Sequence, residues 1–237
     1  ICAAKLLGSL LKPTDGFVQL IALHLQRIAP TMSYAVAQDN NHGTSEAAAL
    51  FIGGEFLKAQ SYPDGARWAS KGRKWLENRA KRLIGVKGSF SQYSVNYHRM
   101  MLDTLSFAET VRQWFSLEPF SPIFYERTGA ATKWLAAMTD PSSGDVPNLG
   151  ANDGARLFPL TETDYRDYRS SVIWAYRVFL NNSPLNNFDN ADECAAILTW
   201  LGLEQGQNNI SLPKNIHYNE GGFVVLNVGK ARIVLNY

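Results

Sequence analysis

The sequence predicts a mainly α-helical domain followed by the opening strands of a β-domain. Two observations predict this. Apolar residues recur at helical spacing from residue 1 to about 213, in segments joined by polar loops. β-branched runs occur only beyond that point, and helices followed by strands, rather than alternating with them, mark an α domain and a β domain in series. The helix lengths and loops suit successive antiparallel pairs. Two domains are expected, 1–213 and 214–237.

The elements follow in order. Ile1–Leu11 carries apolar residues at helical spacing, with Pro13 after it. Asp15–Tyr34 presents Phe17, Leu20, Ile21, Leu23, Leu25 and Ile28, with an interruption expected near Pro30. Thr44–Ala59 is next, with Thr44 or Ser45 as N-cap. Asp64–Ile84 is amphipathic: Trp68, Trp75, Leu76, Leu83 and Ile84 share one side, and Arg67, Lys71, Lys74, Lys81 and Arg82 form a solvated face opposite. Ser94–Phe115 and Pro122–Met138 follow. Thr139–Thr163 holds Pro141, Gly144, Pro147, Gly150, Gly154 and Pro159, and an irregular stretch of this length inside a domain is often functional. Helices near Tyr165–Leu180 and Ala191–Leu203 complete the series. Gly222–Val228 and Ala231–Tyr237, around Gly229-Lys230, predict a hairpin. Two strands alone are marginal, and the N-terminal residues resemble the middle of a helix, so a fragment cut at both ends is expected.

The 237 residues are 46% hydrophobic and 19% charged, enough for one large core or two smaller ones. A net charge of +2 gives no reason to expect nucleic acid as a partner. No apolar run reaches the roughly 18–20 residues of a membrane span, and no signal peptide is recognisable. Cys2 and Cys194 have neither metal nor redox spacing and read as buried thiols. The six Trp and the 12% aromatic content suit core packing first and a saccharide cleft second.

Three segments carry candidate chemistry. Gln38-Asp39-Asn40-Asn41-His42-Gly43-Thr44-Ser45-Glu46 sets amides, an imidazole and carboxylates at a helix entrance, where free N–H groups and the helix dipole favour an anion. Asn41 and His42 could neutralise a carboxylate, which acidifies the adjacent C–H; a helix-capping turn explains the same residues. Ser89–Arg99 contains Gln92, Tyr93, Tyr97, His98 and Arg99. Tyr97 could move a proton if a cation, Arg99 or protonated His98, lowered its pKa; a tyrosine packed in the core is the alternative. Pro147–Ala155 brings Asn152 and Asp153 among glycines, as a ligand-binding loop or a tight turn. Tyr165-Arg166-Asp167-Tyr168-Arg169 reads as a helix start with local ion pairs.

In order and spacing these segments resemble the heparinase II/III-like polysaccharide lyases, over most of the chain. Asn40-Asn41-His42 with Glu46-Ala47-Ala48-Ala49-Leu50 is similar to that family's Asn-His segment. Gln92, Ser94, Tyr97 and His98 are similar to its Gln-Ser…Tyr-His segment. Gly150–Gly154 resembles a loop of a subgroup found with bacterial surface-polysaccharide genes, and Gly221–Leu226 resembles the first strand of the family's β-sandwich. The resemblance implies an incomplete (α/α) toroid and β-elimination at a uronic acid of an acidic polysaccharide. Asn41 and His42 would neutralise the uronate. Tyr97 would protonate the leaving glycosidic oxygen and is a candidate to take the C5 proton. Asn40, Glu46, Gln92, Tyr93, His98, Arg99, Asn152 and Asp153 would contact substrate. In many members a β-domain histidine is the base; His217 precedes the first expected strand and is not assigned that role. No cofactor is expected in this chain, although the resemblance allows a metal in the β-domain. A periplasmic location is the family expectation.

The chain departs from the family in two places. Ser89-Phe90-Ser91 precedes Gln92 where relatives carry an acidic residue, and Ser45 stands where some carry a glutamate, with Glu46 one further on. Two other functions fit the residues. A glycoside hydrolase would need paired carboxylates, for which Glu46 and Asp153 are the best pair. A non-catalytic glycan-binding module would need neither.

Overall fold

The computed structural model describes residues 13–213, 215–228 and 231–237. The expected helix at 1–11 and Cys2 lie outside them. The described chain is mainly helical, with a small antiparallel sheet at its C-terminal end. The helices are α1 (Asp15–Ala37), α2 (Asn41–Ala59), α3 (Gly65–Leu83), α4 (Val95–Trp114), α5 (Pro122–Met138), α6 (Arg169–Ala175) and α7 (Ala191–Trp200).

Three of these helices, α1, α2 and α4, start at a residue whose side chain caps a free N–H group. Thr14 caps α1, and Ser94 Oγ accepts from the Tyr97 amide at 3.1 Å to cap α4. Helix α2 begins at Asn41, earlier than the Thr44 or Ser45 start expected from sequence. Asn40 Oδ1 accepts from the His42 amide at 2.9 Å, and Gln92 Oε1 accepts from the Asn41 amide at 2.9 Å. A donor pair so satisfied extends the helix by a turn. Helix α1 continues past Pro30 without the expected break. Nearby carbonyls find other donors: Thr31 Oγ1 bonds Ile28 O at 3.1 Å, and Lys71 Nζ bonds Ala29 O at 2.5 Å.

Helices α2 and α3 pack back to back through glycines. A Cβ on Gly72 would lie 2.2 Å from Phe51 N, one on Gly54 2.3 Å from Ala69 N, and one on Gly65 2.4 Å from Lys58 N. The partners descend in number as the glycines rise, so the pair is antiparallel. Of the face expected in solvent, Arg67, Lys74, Lys81 and Arg82 are exposed, whereas Lys71 is half-buried because its ammonium reaches Ala29 O of α1. The turn between α1 and α2 is held by Asp39, at φ 48°, which takes Arg82 in a two-oxygen pair and Arg79 at 2.8 Å.

The core runs through all layers, with Trp174, Phe51, Phe124 and Leu102 among its fully buried side chains. Helix α6 starts at Arg169 rather than Tyr165, because Asp164 and Asp167 turn the chain first, accepting from the Arg166 and Arg169 amides at 2.8 and 2.9 Å. It continues as a π turn over Tyr176–Leu180, and Asn181 stops it in the left-handed conformation, φ 50°. The irregular stretch therefore runs from Thr139 to Tyr168, longer than expected.

Strands are not confined to the end, contrary to the sequence reading. Two two-residue strands, β1 (Asn182–Ser183) and β2 (Asn208–Asn209), pair in parallel. Three longer ones, β3 (Ile216–Tyr218), β4 (Phe223–Val228) and β5 (Ala231–Asn236), form an antiparallel sheet in that order. Phe223 and Val225 alternate inward, and Phe223 meets Trp134 of α5 edge-on, ring centres 5.3 Å apart. Glu220 accepts from the Val86 and Lys87 amides at 3.1 and 2.6 Å, which seats the sheet on the α3–α4 connection.

Candidate functional site

The starts of α2 and α4 lie side by side. Gln92, two residues before the Ser94 cap, reaches the first amide of α2 at Asn41, so one side chain links segments 51 residues apart. The 147–156 loop is fastened to the same place. The Val95 amide donates to Leu149 O at 3.1 Å, Ser94 Oγ donates to Ala151 O, and a Cβ on Gly150 would lie 2.3 Å from Tyr93 O. Gly150 has φ +74°, so both its space and its backbone require glycine.

That fastening sets a carboxylate against Tyr97. Tyr97 Oη donates to Asp153 Oδ2 at 2.8 Å, and Asn96 Nδ2 donates to Asp153 Oδ1 at 3.3 Å. The hydrogen bond to Asp153 is the main cause that raises the Tyr97 pKa above the usual phenol value, and the same bond lowers that of Asp153. The sequence reading expected a cation to lower the Tyr97 pKa, and the geometry reverses it. Arg99 and His98 both turn away from the hydroxyl, as side chains one and two residues on along a helix must.

His98 is buried. Its ring stacks on Trp134 at 4.5 Å, and its Nε2 donates to Ala131 O at 3.0 Å, since a carbonyl can only accept. Nδ1 is then bare and without a partner. Burial pushes its pKa down to about 4. His98 therefore packs between helices instead of facing a ligand. Arg99 is also buried and acts as a clamp. It donates to Tyr165 O at 2.7 Å, Asn96 Oδ1 at 3.1 Å and Ala155 O at 3.3 Å, and lies over the Tyr165 and Tyr168 rings at 4.6 and 4.0 Å. Its role is to hold the 155–165 chain against α4.

The other expected residues divide into two groups. Asn152 joins Tyr97 and Asp153: its Oδ1 accepts from Tyr165 Oη at 2.6 Å and its Nδ2 donates to Asn148 Oδ1 at 3.0 Å. Tyr93 stands exposed at the same edge with φ 50°. Asn40, Asn41, His42 and Glu46 form the second group. Asn40 is committed to capping, Asn41 is half-buried, and His42 is exposed on the first turn of α2. Burial raises the Glu46 pKa, against the lowering influence of His42 and Thr31. Its Oε2 is buried without a partner.

Sequence reasoning missed Asn96, Asn148 and Tyr165. Tyr165 reads as a helical residue until the Asp164 and Asp167 turns are recognised, and those turns are what point its ring at Asn96 and Asn152. Asp103, two helical turns below Asn96, was missed as well. It is buried, and burial pushes its pKa up to about 7 against the lowering influence of Ser171, Arg99 and Arg156. No group of three or more metal-ligating side chains occurs among the described residues, and no helix there is long and apolar enough to cross a membrane. No protein-family model, curated protein or solved structure matches the chain.

Proposed function

We propose that the protein is a polysaccharide lyase that cleaves a uronic-acid-containing acidic polysaccharide by β-elimination, on an incomplete (α/α) toroid. The observation that carries this reading is the Tyr97–Asp153 hydrogen bond, beside helix entrances joined by Gln92. In such a step the C5 proton passes to a base, for which the Asp153 carboxylate beside Tyr97 is the group at hand, the C5–H electrons form the C4–C5 double bond, and the C4–O bond breaks as the leaving oxygen takes the Tyr97 proton. Tyr97 is the proton donor. The phenol carries its proton at neutral pH, and the hydrogen bond to Asp153 raises its pKa further, which sets Tyr97 against acting as a base. Asp153 orients that hydroxyl until the glycosidic oxygen replaces it as acceptor. Asn41 and His42, at the positively polarised start of α2, meet the uronate carboxylate. His98 and Arg99, named as substrate contacts by resemblance, support the site from behind.

The test is product chemistry. The protein should release oligosaccharides with an unsaturated uronate, seen by ultraviolet absorbance, from at least one member of an acidic-glycan panel. Saturated products would assign hydrolysis instead. Binding without any cleavage, surviving loss of Tyr97, would make the protein a glycan-binding module.

A further inference from the structure

A cavity of about 360 Å³ opens beside the Tyr97–Asp153 pair. Val95, Val146, Pro147 and Leu149 give it an apolar floor, and Asn96, Asn148, Asn152, Tyr165 and Tyr168 give it amides and phenols. Apolar surface with a few fixed polar groups suits a pyranose, which has a C–H face and a rim of hydroxyls. The polar rim is also short of protons. Tyr165 has one hydroxyl proton but lies 2.6 Å from Asn152 Oδ1 and 3.0 Å from Asn96 Oδ1. Each oxygen also accepts one other hydrogen, from Arg99 and from the Gly154 amide, so the single Tyr165 proton leaves one lone pair on one of them open to a ligand hydroxyl.

The charges around the cavity cancel. Arg166 spans both oxygens of Asp145, with Nε 3.1 Å from Oδ1. Arg99 is committed behind the Tyr165 and Tyr168 rings, and Asp153 keeps its negative charge on the far side of Asn96. A carboxylate in this cavity would meet the Asp145 carboxylate, and the cation on the lining, Arg166, is already committed to Asp145, an arrangement that selects against it.

We propose that this cavity is a subsite for an uncharged sugar ring, recognised by Tyr165, Asn148 and Asn152. The proposal rests on reading the Tyr97–Asp153 site as one that acts on saccharide. It adds that an uncharged residue of the polymer sits beside the cleaved bond, because Asn96 lines the cavity and also holds Asp153.

The experiment is ligand-detected NMR titration of the protein with methyl glucoside, N-acetylglucosamine and glucuronate as probes. At least one uncharged sugar should bind about fivefold or more tightly than glucuronate. Tyr165→Phe and Asn148→Ala should each weaken that binding about fivefold, the scale of one lost hydrogen bond. Asn148 is exposed, so its variant keeps the test valid if Tyr165→Phe proves unstable. Absence of binding by either uncharged sugar, equal binding of glucuronate, or wild-type binding by folded Asn148→Ala and Tyr165→Phe would each overturn the proposal. Uncharged-sugar binding that needs Tyr165, in a protein that cleaves no acidic glycan, would refute the lyase reading and leave the subsite standing. Cleavage with an unchanged KM in both variants would do the reverse.

Discussion

Tyr97 Oη donates to Asp153 Oδ2 at 2.8 Å, joining the first turn of α4 to a loop 56 residues further on. The carboxylate is the main reason the phenol holds its proton more tightly than usual. Asp153→Asn should therefore lower the Tyr97 pKa toward the ordinary value, read by the ring-carbon shift of labelled tyrosine against pH. A Tyr97 titration that does not move would show that the bond has no weight in solution.

Two buried groups on α4 should give stability opposite slopes with pH. His98 has its pKa lowered from 6.5 to about 4. The unfolded chain then binds the proton more readily, so this contribution is complete above about 6.5 and is lost as pH falls toward 4. It amounts to about 3 kcal/mol. Asp103 has its pKa raised from 3.8 to about 7, so its contribution is complete below 3.8 and is lost as pH rises through 7. Denaturant unfolding should show His98→Phe flattening the acid limb and Asp103→Asn flattening the alkaline one. Limbs unchanged in both variants would contradict the burial assigned to these groups.

The α2–α3 seam makes a steric prediction. Gly72→Ala places a methyl 2.2 Å from Phe51 N, where only backbone movement can relieve it. A loss of about 3 kcal/mol is expected, or roughly 6–12 °C in Tm. Gly16→Ala meets nothing within 4 Å in α1 and should stabilise by about 0.5–1 kcal/mol. Thermal melts of the two variants should move in opposite directions.

Asp39 locks the α1–α2 turn against α3. Its pKa is lowered to about 2, first by the Arg82 hydrogen bond. That contribution is complete above the ordinary value of 3.8 and is lost as pH falls through about 2. Asn tolerates the left-handed backbone, so Asp39→Asn should keep the turn yet melt earlier at pH 7, with the gap closing at strongly acid pH. A constant gap would point to a cause other than charge.

Several helices were legible from their apolar period, and the expected starts at Ser94 and Pro122 are kept by the structure as the cap of α4 and the first residue of α5. The start of α2 was misplaced because one of its caps, Gln92, comes from 51 residues away, and no local pattern encodes that. The break expected at Pro30 does not occur, and α1 runs through it to Ala37. Within the site, Tyr97 stood out at a helix start and Asn152 and Asp153 in a glycine-rich loop. His98 and Arg99 stood out equally, and only packing distinguishes a histidine stacked on Trp134 from one facing solvent. Tyr165 was hidden because a tyrosine beside charged residues at a helix start has an ordinary local explanation.

The most direct measurement is the initial rate of unsaturated-uronate release by the protein, expressed from its complete gene, against the same protein carrying Tyr97→Phe. Removing only the proposed acid's hydroxyl should lower the rate about 100-fold or more while the fold is retained. Release of unsaturated product at an unchanged rate, or none from any acidic glycan by the wild-type protein, would contradict the assignment of Tyr97 and Asp153 as the centre of a β-eliminating site.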